Sequence, residues 1–260
     1  MTGSGAAAWE RISSRKNGAV LRLRRLGADP AFRRELGETV LDGEKLLREA
    51  LASGCRVTEL LAGEKRLPES TPPGARLFCA PEELVSYASP VKNSPGPVFS
   101  VSLPSIPEPE RPGSAVVLED VQDPGNVGTV IRTANALGID IVVLVGDCAD
   151  PFSPRCVRAT MGAAFRQCVV ETELGALPAL LRRWGLGLCG TALTDSAVDI
   201  RSADLRGCAV AVGNEGHGLS GALLSLCSET VIIPMVPGSE SLNAAVAGAV
   251  AMWELKRREV

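Results

Sequence analysis

The chain has 260 residues, 45% of them apolar and 22% charged, which is the balance of an ordinary globular protein with one large or two small domains. No apolar run approaches the roughly 20 residues that span a bilayer, and residues 1–8 lack the basic start and apolar stretch of a signal peptide, so we expect a cytoplasmic protein. The net charge of −3 hides a basic N-terminal arm, residues 1–34, which holds eight Lys or Arg against two acids.

The first hundred residues mix helix and strand patterns. Apolar positions recur with helical spacing in some segments, while short apolar runs in others are typical of strands. We therefore predict a small α/β domain over residues 1–102. Its predicted helices are 19–26 and 43–51 with a helical turn over 81–87, and its predicted strands are 57–62 and 76–79.

A proline-rich segment over residues 103–113 follows. Four prolines in eleven residues exclude a helix or a central strand, so this segment is predicted to be a linker. It separates the first domain from a second domain over residues 114–260.

The second domain alternates strand and helix patterns. Strands rich in Val and Ile that alternate with helices are typical of a parallel sheet covered on both faces, and such sheets bind ligands at the carboxyl ends of their strands. We predict strands over 115–118, 141–145, 186–193, 208–212 and 231–233, and helices over 129–137, 174–184, 220–226 and 241–255.

A glycine pattern in this domain fits the dinucleotide fingerprint G-x-G-x-x-G, with Gly185, Gly187 and Gly190. That fingerprint binds a pyrophosphate only where it follows a strand and opens a helix. Here a predicted helix precedes the glycines and a predicted strand runs through them, so we reject a nicotinamide dehydrogenase.

The eight cysteines include no pair separated by only two residues, which argues against a zinc knuckle and against a redox pair. Most of them lie in apolar runs, and we expect reduced core cysteines rather than a disulfide framework. No metal site is predicted.

Three segments that follow predicted strands combine polar residues with glycine. Motif 1 is residues 123–135, DPGNVGTVIRTAN. Motif 2 is residues 213–220, GNEGHGLS, and motif 3 is residues 233–244, IPMVPGSESLNA. The glycines of motif 2 allow a backbone to approach a ligand closely.

Each motif alone has an ordinary structural explanation. The start of motif 1 is turn chemistry, Glu215 suits the start of a helix, and Ser241 and Asn243 suit helix caps. Motif 1 nevertheless places Arg132 six residues after Asn126, and an exposed turn does not need that arginine.

Together, in this order and with this spacing, the three motifs closely resemble those of the SpoU/TrmH family of RNA 2′-O-ribose methyltransferases, part of the SPOUT superfamily. The resemblance runs from about residue 116 to residue 254 and includes the segment 158–163, RATMGA. In the first domain, residues 12–17, 42–44 and 89–90 are similar to the substrate-binding domain that often precedes the catalytic domain. The resemblance does not select between ribosomal and transfer RNA.

The resemblance implies a parallel sheet with a C-terminal trefoil knot and a homodimer with active sites at the subunit interface. It also implies that S-adenosylmethionine is held bent, mainly by the backbone of motifs 2 and 3, and that its methyl group goes to a ribose 2′-hydroxyl. No membrane and no metal take part in that reaction.

Carried over position by position, the family's cofactor contacts fall on motifs 2 and 3 and on the end of the strand before them. The matching residues are Gly213, Ile233 and Leu242, with Thr191 or Leu193 at the strand end; Asn214, Gly216, Met235 and Ser241 complete the predicted cofactor-binding set. The family's conserved polar positions give the predicted catalytic set. These are Asn126, Arg132, Glu215, Ser241 and Asn243.

The resemblance points to Arg132 as the residue that activates the hydroxyl. A guanidinium stays protonated in proteins, so we expect Arg132 to grip the adjacent phosphate and polarise the oxygen, while phosphate or water takes the proton. The lone histidine, His217, lies in motif 2, but the family motif does not require it and we interpret it as incidental.

RNA binding is predicted for the first domain and the basic arm, through phosphate contacts. The aromatic content of 3% argues against an extensive base-stacking platform and favours recognition by shape. Three alternatives stay open: a solvated helix face for the arm, a non-catalytic RNA-binding module of this fold, and a ribosome-modifying antibiotic-resistance methyltransferase. The predicted phosphate-binding residues are Arg22, Arg24, Arg25, Arg33, Arg34 and Arg158.

Overall fold

The computed structural model describes residues 8–68, 71–194, 196–236, 238 and 241–257. Its contacts divide the chain into two compact units. Unit 1 comprises residues 1–105 and 152–165, and unit 2 comprises residues 106–151 and 166–260. The first boundary falls within the proline-rich segment, whereas the segment 152–165, predicted within the second domain, packs in unit 1.

Unit 1 is built on a five-stranded mixed sheet with strand order β1-β4-β3-β5-β2. The sheet is parallel between β1, β4 and β3, and antiparallel between β3, β5 and β2. The helices and strands of this unit, in chain order, are β1 (Glu10–Arg11), α1 (Gly18–Ala28), α2 (Pro30–Leu36), β2 (Glu38–Asp42), α3 (Glu44–Ala52), β3 (Val57–Gly63), β4 (Arg76–Ala80), α4 (Glu82–Ala88), β5 (Val98–Ser102) and α6 (Pro154–Thr160).

The sheet of unit 1 has an apolar core on each face because successive side chains of a strand point to opposite faces. On β3, Leu61 belongs to the core formed with α1 and α4, whereas Leu60 belongs to the core formed with α3 and α6. Both leucines are fully buried.

The segment 152–165 joins unit 1 through the second of these cores. Val157 and Phe165 are buried there beside Leu60. The hydroxyl of Thr39 donates a hydrogen bond to the carbonyl oxygen of Phe152 at 2.7 Å. Sequence patterns did not predict this packing, because α6 has only seven residues and its apolar positions are too few to define a face.

Unit 2 is a seven-stranded sheet with every neighbouring pair parallel and strand order β10-β12-β9-β11-β6-β7-β8. The predicted parallel α/β architecture is confirmed. The helices and strands of this unit are β6 (Ala115–Glu119), α5 (Pro124–Leu137), β7 (Ile141–Val145), β8 (Cys168–Thr172), α7 (Leu177–Trp184), β9 (Gly187–Thr191), β10 (Val198–Asp199), β11 (Cys208–Val212), α8 (Gly221–Leu224), β12 (Glu229–Ile232) and α9 (Ala244–Lys256).

Helices cover both faces of this sheet. Residues of α7 share one core with the strands β6, β7, β9 and β11. On the opposite face α5 and α9 pack against each other, and Gly248 of α9 lies close to Val130 of α5 and to Val212 of β11. The small side chains of α9 permit this close packing.

The helix α5 begins five residues before the predicted start at Thr129. Asp123 caps it, because its carboxylate accepts hydrogen bonds from the backbone N–H groups of Gly125 at 2.7 Å and Asn126 at 3.1 Å. Pro124 suits the first helical position, which needs no N–H donor. The Asp-Pro-Gly-Asn sequence is therefore a helix start rather than a free turn, and the helix ends at Gly138 as predicted.

The eight cysteines, all within the described residues, are thiols, and four of them are buried. Burial raises the pKa of the Cys189 thiol to about 12 and that of Cys148 to about 11, so both stay protonated near neutral pH.

Among the described residues, no helix is both long enough and apolar enough to cross a membrane.

Candidate functional site: a cavity at the carboxyl ends of three strands

A cavity of about 580 Å³ opens in unit 2 at the carboxyl ends of the strands β9, β11 and β12. In a parallel sheet these ends share one edge, which is where ligands bind. The walls come from the strand ends, from motifs 2 and 3, and from the first turn of α9. The lining residues are Thr191, Ala192, Leu193, Thr194, Val212, Gly213, Asn214, Glu215, Gly216, His217, Gly218, Leu219, Leu224, Val231, Ile233, Met235, Ser241, Leu242, Ala244 and Ala247.

The nine predicted cofactor-binding residues all line this cavity, although they come from three separate segments of the chain. Leu193 is 66% exposed, so it lies at the mouth of the cavity rather than in its depth. The hydroxyl of Thr191 donates to the carbonyl oxygen of Ala211 at 2.8 Å, and its lone pairs remain available to a ligand.

Motif 2 folds back on itself at two glycines. A Cβ atom on Gly213 would lie 2.2 Å from the carbonyl carbon of Gly218, so only glycine fits there. The side-chain nitrogen of Asn214 donates to the carbonyl oxygen of Asp120 at 2.8 Å, and its side-chain oxygen accepts from the backbone N–H of Gly216 at 2.7 Å. These contacts fix the backbone that forms one wall of the cavity.

A buried carboxylate that the sequence analysis missed anchors the end of motif 2. Glu119, the last residue of β6, is 4% exposed and accepts hydrogen bonds from Ser220 through its N–H at 2.7 Å and its hydroxyl at 2.6 Å. The Ser220 hydroxyl oxygen also accepts from the N–H of Leu223, which caps α8. The sequence signal that could have identified Glu119 is an acidic residue at the end of an otherwise apolar strand.

Motifs 1, 2 and 3 meet in a chain of hydrogen bonds. The Asn126 amide nitrogen donates to the carboxylate of Glu215, and the Asn243 amide nitrogen donates to the Asn126 amide oxygen at 3.0 Å. The Asn243 side-chain oxygen also caps α9, accepting from the backbone N–H of Ala245 at 3.0 Å. Asn126 therefore sits between the other two motifs and holds them together.

Of the five predicted catalytic residues, Glu215 and Ser241 line the cavity, whereas Arg132, Asn126 and Asn243 do not. Arg132 lies on the exposed face of α5. No ion pair of Arg132 occurs among the described residues. Asn126 and Asn243 lie outside the cavity lining, where they fix Glu215 and the start of α9.

His217, which we interpreted from the sequence as an incidental residue of motif 2, lies in the cavity wall. The structure adds lining residues that the predicted cofactor-binding set did not include, among them Leu219, Ala244 and Ala247. Their apolar side chains suit the hydrophobic parts of a ligand, and the two alanines leave room at the first turn of α9.

Two of the arginines predicted to bind RNA have partners inside unit 1. Arg22 is ion-paired with Glu38 at 2.7 Å and Glu59 at 3.1 Å. Arg33 is only 4% exposed and donates to the carbonyl oxygen of Leu26 at 2.8 Å. Burial argues against a phosphate contact for Arg33, and the charge of Arg22 is already balanced within unit 1.

The other four predicted arginines are exposed. Arg25 is paired with Asp29 at 3.1 Å, and Arg158 is paired with Asp42 at 3.3 Å. Arg24 and Arg34 have no carboxylate partner among the described residues.

The architecture and the cavity define a class of protein that binds a small ligand at the carboxyl edge of a parallel sheet and brings three loops to it. Comparison with known proteins gives the family. The family model described as the SpoU rRNA methylase family matches residues 113–253. The chain belongs to this family, and the resemblance of the three motifs is confirmed.

Relatives along the whole chain agree. The chain is 33% identical over 250 residues to the 23S rRNA (guanosine(2553)-2′-O)-methyltransferase of Bacillus subtilis, covering 95% of this chain and 99% of the relative. An AdoMet-bound rRNA methyltransferase from Sinorhizobium meliloti superposes with a TM-score of 0.84 at 28% identity, covering 96% and 98% of the two chains.

The SpoU methyltransferase AviRb from Streptomyces viridochromogenes, in complex with AdoMet, superposes with a TM-score of 0.83 at 26% identity, covering 94% of this chain and 98% of that one. The predicted enzyme class, an RNA methyltransferase that uses S-adenosylmethionine, is confirmed by the family and these relatives. The trefoil knot stays a prediction.

Proposed function

We propose that this chain transfers a methyl group from S-adenosylmethionine to a ribose 2′-hydroxyl of ribosomal RNA, with the cofactor in the cavity of unit 2. The observation that carries the proposal is the meeting of the three motifs. Motifs 2 and 3 form the cavity walls, and Asn126 of motif 1 is hydrogen-bonded to both.

The residues present fit the cofactor. A cavity of about 580 Å³ lies within the usual range for ligand pockets, roughly 300–1,000 Å³. Apolar side chains such as Leu219, Ile233 and Leu242 suit an adenosine ring system. The glycine-rich backbone of motif 2 brings peptide groups close to a ligand without side chains in between.

When bound, S-adenosylmethionine supplies an activated methyl group on a sulfonium, a chemistry that requires no metal. The work left to the protein is to place the ribose oxygen in line with that methyl group and to remove one proton. Glu215 and Ser241 are among the polar residues that line the cavity, and we assign them to orienting the ribose there.

Arg132 binds the RNA phosphate next to the target ribose in this proposal. Its exposed guanidinium can donate to two phosphate oxygens at once, and it stays protonated, so the proton of the hydroxyl passes to phosphate or water. Because Arg132 lies outside the cavity, it orients the substrate rather than the methyl donor.

We infer that the working molecule is a homodimer. The helix α9 forms part of the cavity wall and exposes two large apolar side chains, Val246 at 48% and Trp253 at 58%. A second copy would cover these side chains and could bring its own Arg132 toward the partner's cavity.

The cytoplasm, where ribosomal RNA is found, is the compartment that fits this substrate.

The choice of ribosomal over transfer RNA is supported by the relatives, whose names specify rRNA in the Bacillus subtilis and Sinorhizobium meliloti proteins. The test is transfer of labelled methyl from S-adenosylmethionine to unmodified transcripts of 23S ribosomal RNA and of transfer RNA. We expect transfer to the ribosomal transcript only. Transfer to the transfer RNA pool alone would overturn the choice of substrate.

A further inference from the structure

A pair of arginines meets the only tyrosine of the chain on the surface of unit 1, where α1 packs against α4. The guanidinium carbon of Arg24 lies 4.1 Å from the centroid of the Tyr87 ring, and that of Arg15 lies 4.5 Å from it. Arg24 also donates a hydrogen bond to the carbonyl oxygen of Tyr87. We call these three residues the Tyr87 cluster.

The Tyr87 cluster concentrates positive charge without a counterion among the described residues. Both guanidinium carbons lie within 4.5 Å of one centroid, so they are at most about 9 Å apart, a distance at which like charges still repel one another in physiological salt. Neither arginine forms an ion pair within the described part of the chain, and neither does the exposed Lys16 that follows Arg15 in the sequence. Within the same described ranges, Glu83, one turn before Tyr87 on α4, does not pair with them either.

The other two arginines of α1 are neutralised by carboxylates. Arg25, the neighbour of Arg24 on α1, also stacks on an aromatic ring, at 4.0 Å from the centroid of Phe32. Its charge, however, is paired with Asp29 at 3.1 Å. Arg22 is likewise paired with Glu38 and Glu59. The unpaired cluster therefore stands out from arginines of the same helix in similar surroundings.

From this contrast we propose that Arg15, Arg24 and Tyr87 form a phosphate-binding site that grips the backbone of the RNA substrate; the proposal rests on the function proposed above. Guanidinium forks match the geometry of phosphate oxygens and lose little freedom when a ring already holds them in place. Because the Tyr87 ring already stacks with two guanidinium groups, we assign it to orienting the arginines rather than to stacking on a base. The contact is then independent of base sequence.

The test is the salt dependence of binding to an unmodified 23S ribosomal RNA transcript, measured for the full chain. The double variant Arg15→Gln/Arg24→Gln removes two phosphate contacts, so the slope of log K against log salt should become shallower by about 1.4–1.8. Arg76→Gln is the matched control. Arg76 is an exposed arginine of unit 1 that also stacks on a ring, at 5.0 Å from the centroid of Phe78, but it is paired with Glu59 at 3.2 Å, so its slope should equal that of the wild type. Cofactor affinity, measured by calorimetry, should be unchanged in both.

Two further variants test the ring. Tyr87→Phe keeps the stacking and should bind RNA like the wild type, whereas Tyr87→Leu should weaken binding several-fold while thermal unfolding shows a folded protein. Equal loss in the double variant and in Arg76→Gln, or no loss in the double variant, would overturn the site. If the slopes behave as expected but the wild type transfers no methyl to this RNA, the proposed function fails and the phosphate site stands.

Discussion

At the scale of single residues, the structure separates side chains that shape the cavity from side chains that face the substrate. Gly213 belongs to the first group, since its backbone touches that of Gly218. Arg132 belongs to the second, since it is exposed and outside the cavity. Substitutions at these two positions should therefore have different effects on cofactor binding and on transfer.

The variant Gly213→Ala should weaken binding of S-adenosylmethionine by about tenfold or more, or about 1.4 kcal/mol. The added methyl group would lie 2.2 Å from the backbone carbon of Gly218, and a backbone neighbour cannot move aside as a flexible side chain can. Gly221→Ala is the control, because nothing lies within 4 Å of its added Cβ. Calorimetry measures both affinities, and equal affinities would show that the turn of motif 2 tolerates a side chain.

The variant Arg132→Lys should bind S-adenosylmethionine like the wild type and lose at least about a hundredfold in single-turnover methyl transfer, the size of loss expected when a substrate is misplaced by about 1 Å. Lysine keeps the charge but lacks the planar fork. Arg206→Lys, another exposed arginine of unit 2, should leave both quantities unchanged. If Arg132→Lys transferred methyl at the wild-type rate, this arginine would be an ordinary surface residue of α5.

At the scale of elements, the site depends on where strands end and helices begin. The end of β6 holds the end of motif 2 through Glu119 and Ser220, and Asn243 joins the start of α9 to motif 1. The loops that form the cavity are therefore tied to the sheet and to each other by hydrogen bonds.

The Glu119–Ser220 contact should appear as coupling between the two residues. Glu119→Ala leaves the N–H and hydroxyl of Ser220 without their acceptor, which should lower the free energy of unfolding by about 1–3 kcal/mol. A double-mutant cycle with Ser220→Ala should give a coupling energy of about 0.5 kcal/mol or more, measured by denaturant unfolding. Strictly additive effects would mean that the two residues do not stabilise one another.

Element boundaries also show how far the sequence predicts the structure. Strands with continuous apolar residues, such as 141–145, were predicted to the residue, because a strand buried on both faces has an unmistakable composition. The short strand β2 and helix α6 were missed, because their burial depends on packing between segments distant in sequence. The start of α5 was missed because Asp-Pro-Gly-Asn suits both a turn and a capped helix.

The same reasoning applies to the site. Residues within motifs were predicted to lie together, and the cofactor set does line one cavity. Glu119 lies outside the motifs, and Arg22 and Arg33 pair with distant acids and a carbonyl group that only the fold brings near. Charge along the sequence predicts a basic segment, but not which of its guanidinium groups remain accessible.

At the scale of the whole molecule, we predict a dimer in solution at micromolar concentration. Trp253→Glu should dissociate it, because a charge would replace an apolar side chain that is 58% exposed in the single chain. Leu21→Glu is the control. Leu21 is similarly exposed, at 51%, but it lies on α1 of unit 1, far from α9 in the sequence. Sedimentation equilibrium measures both, and a fully active wild-type monomer would contradict the dimer.

The central claim is that the methyl group is transferred to a ribose oxygen of ribosomal RNA. Its most direct test is mass spectrometry of nucleosides from a 23S ribosomal RNA transcript, after incubation with the protein and S-adenosylmethionine carrying a labelled methyl group. We predict label in a single 2′-O-methyl nucleoside, with the label lost for Arg132→Ala. Label in a methylated base, or no label in the presence of bound cofactor, would contradict the claim.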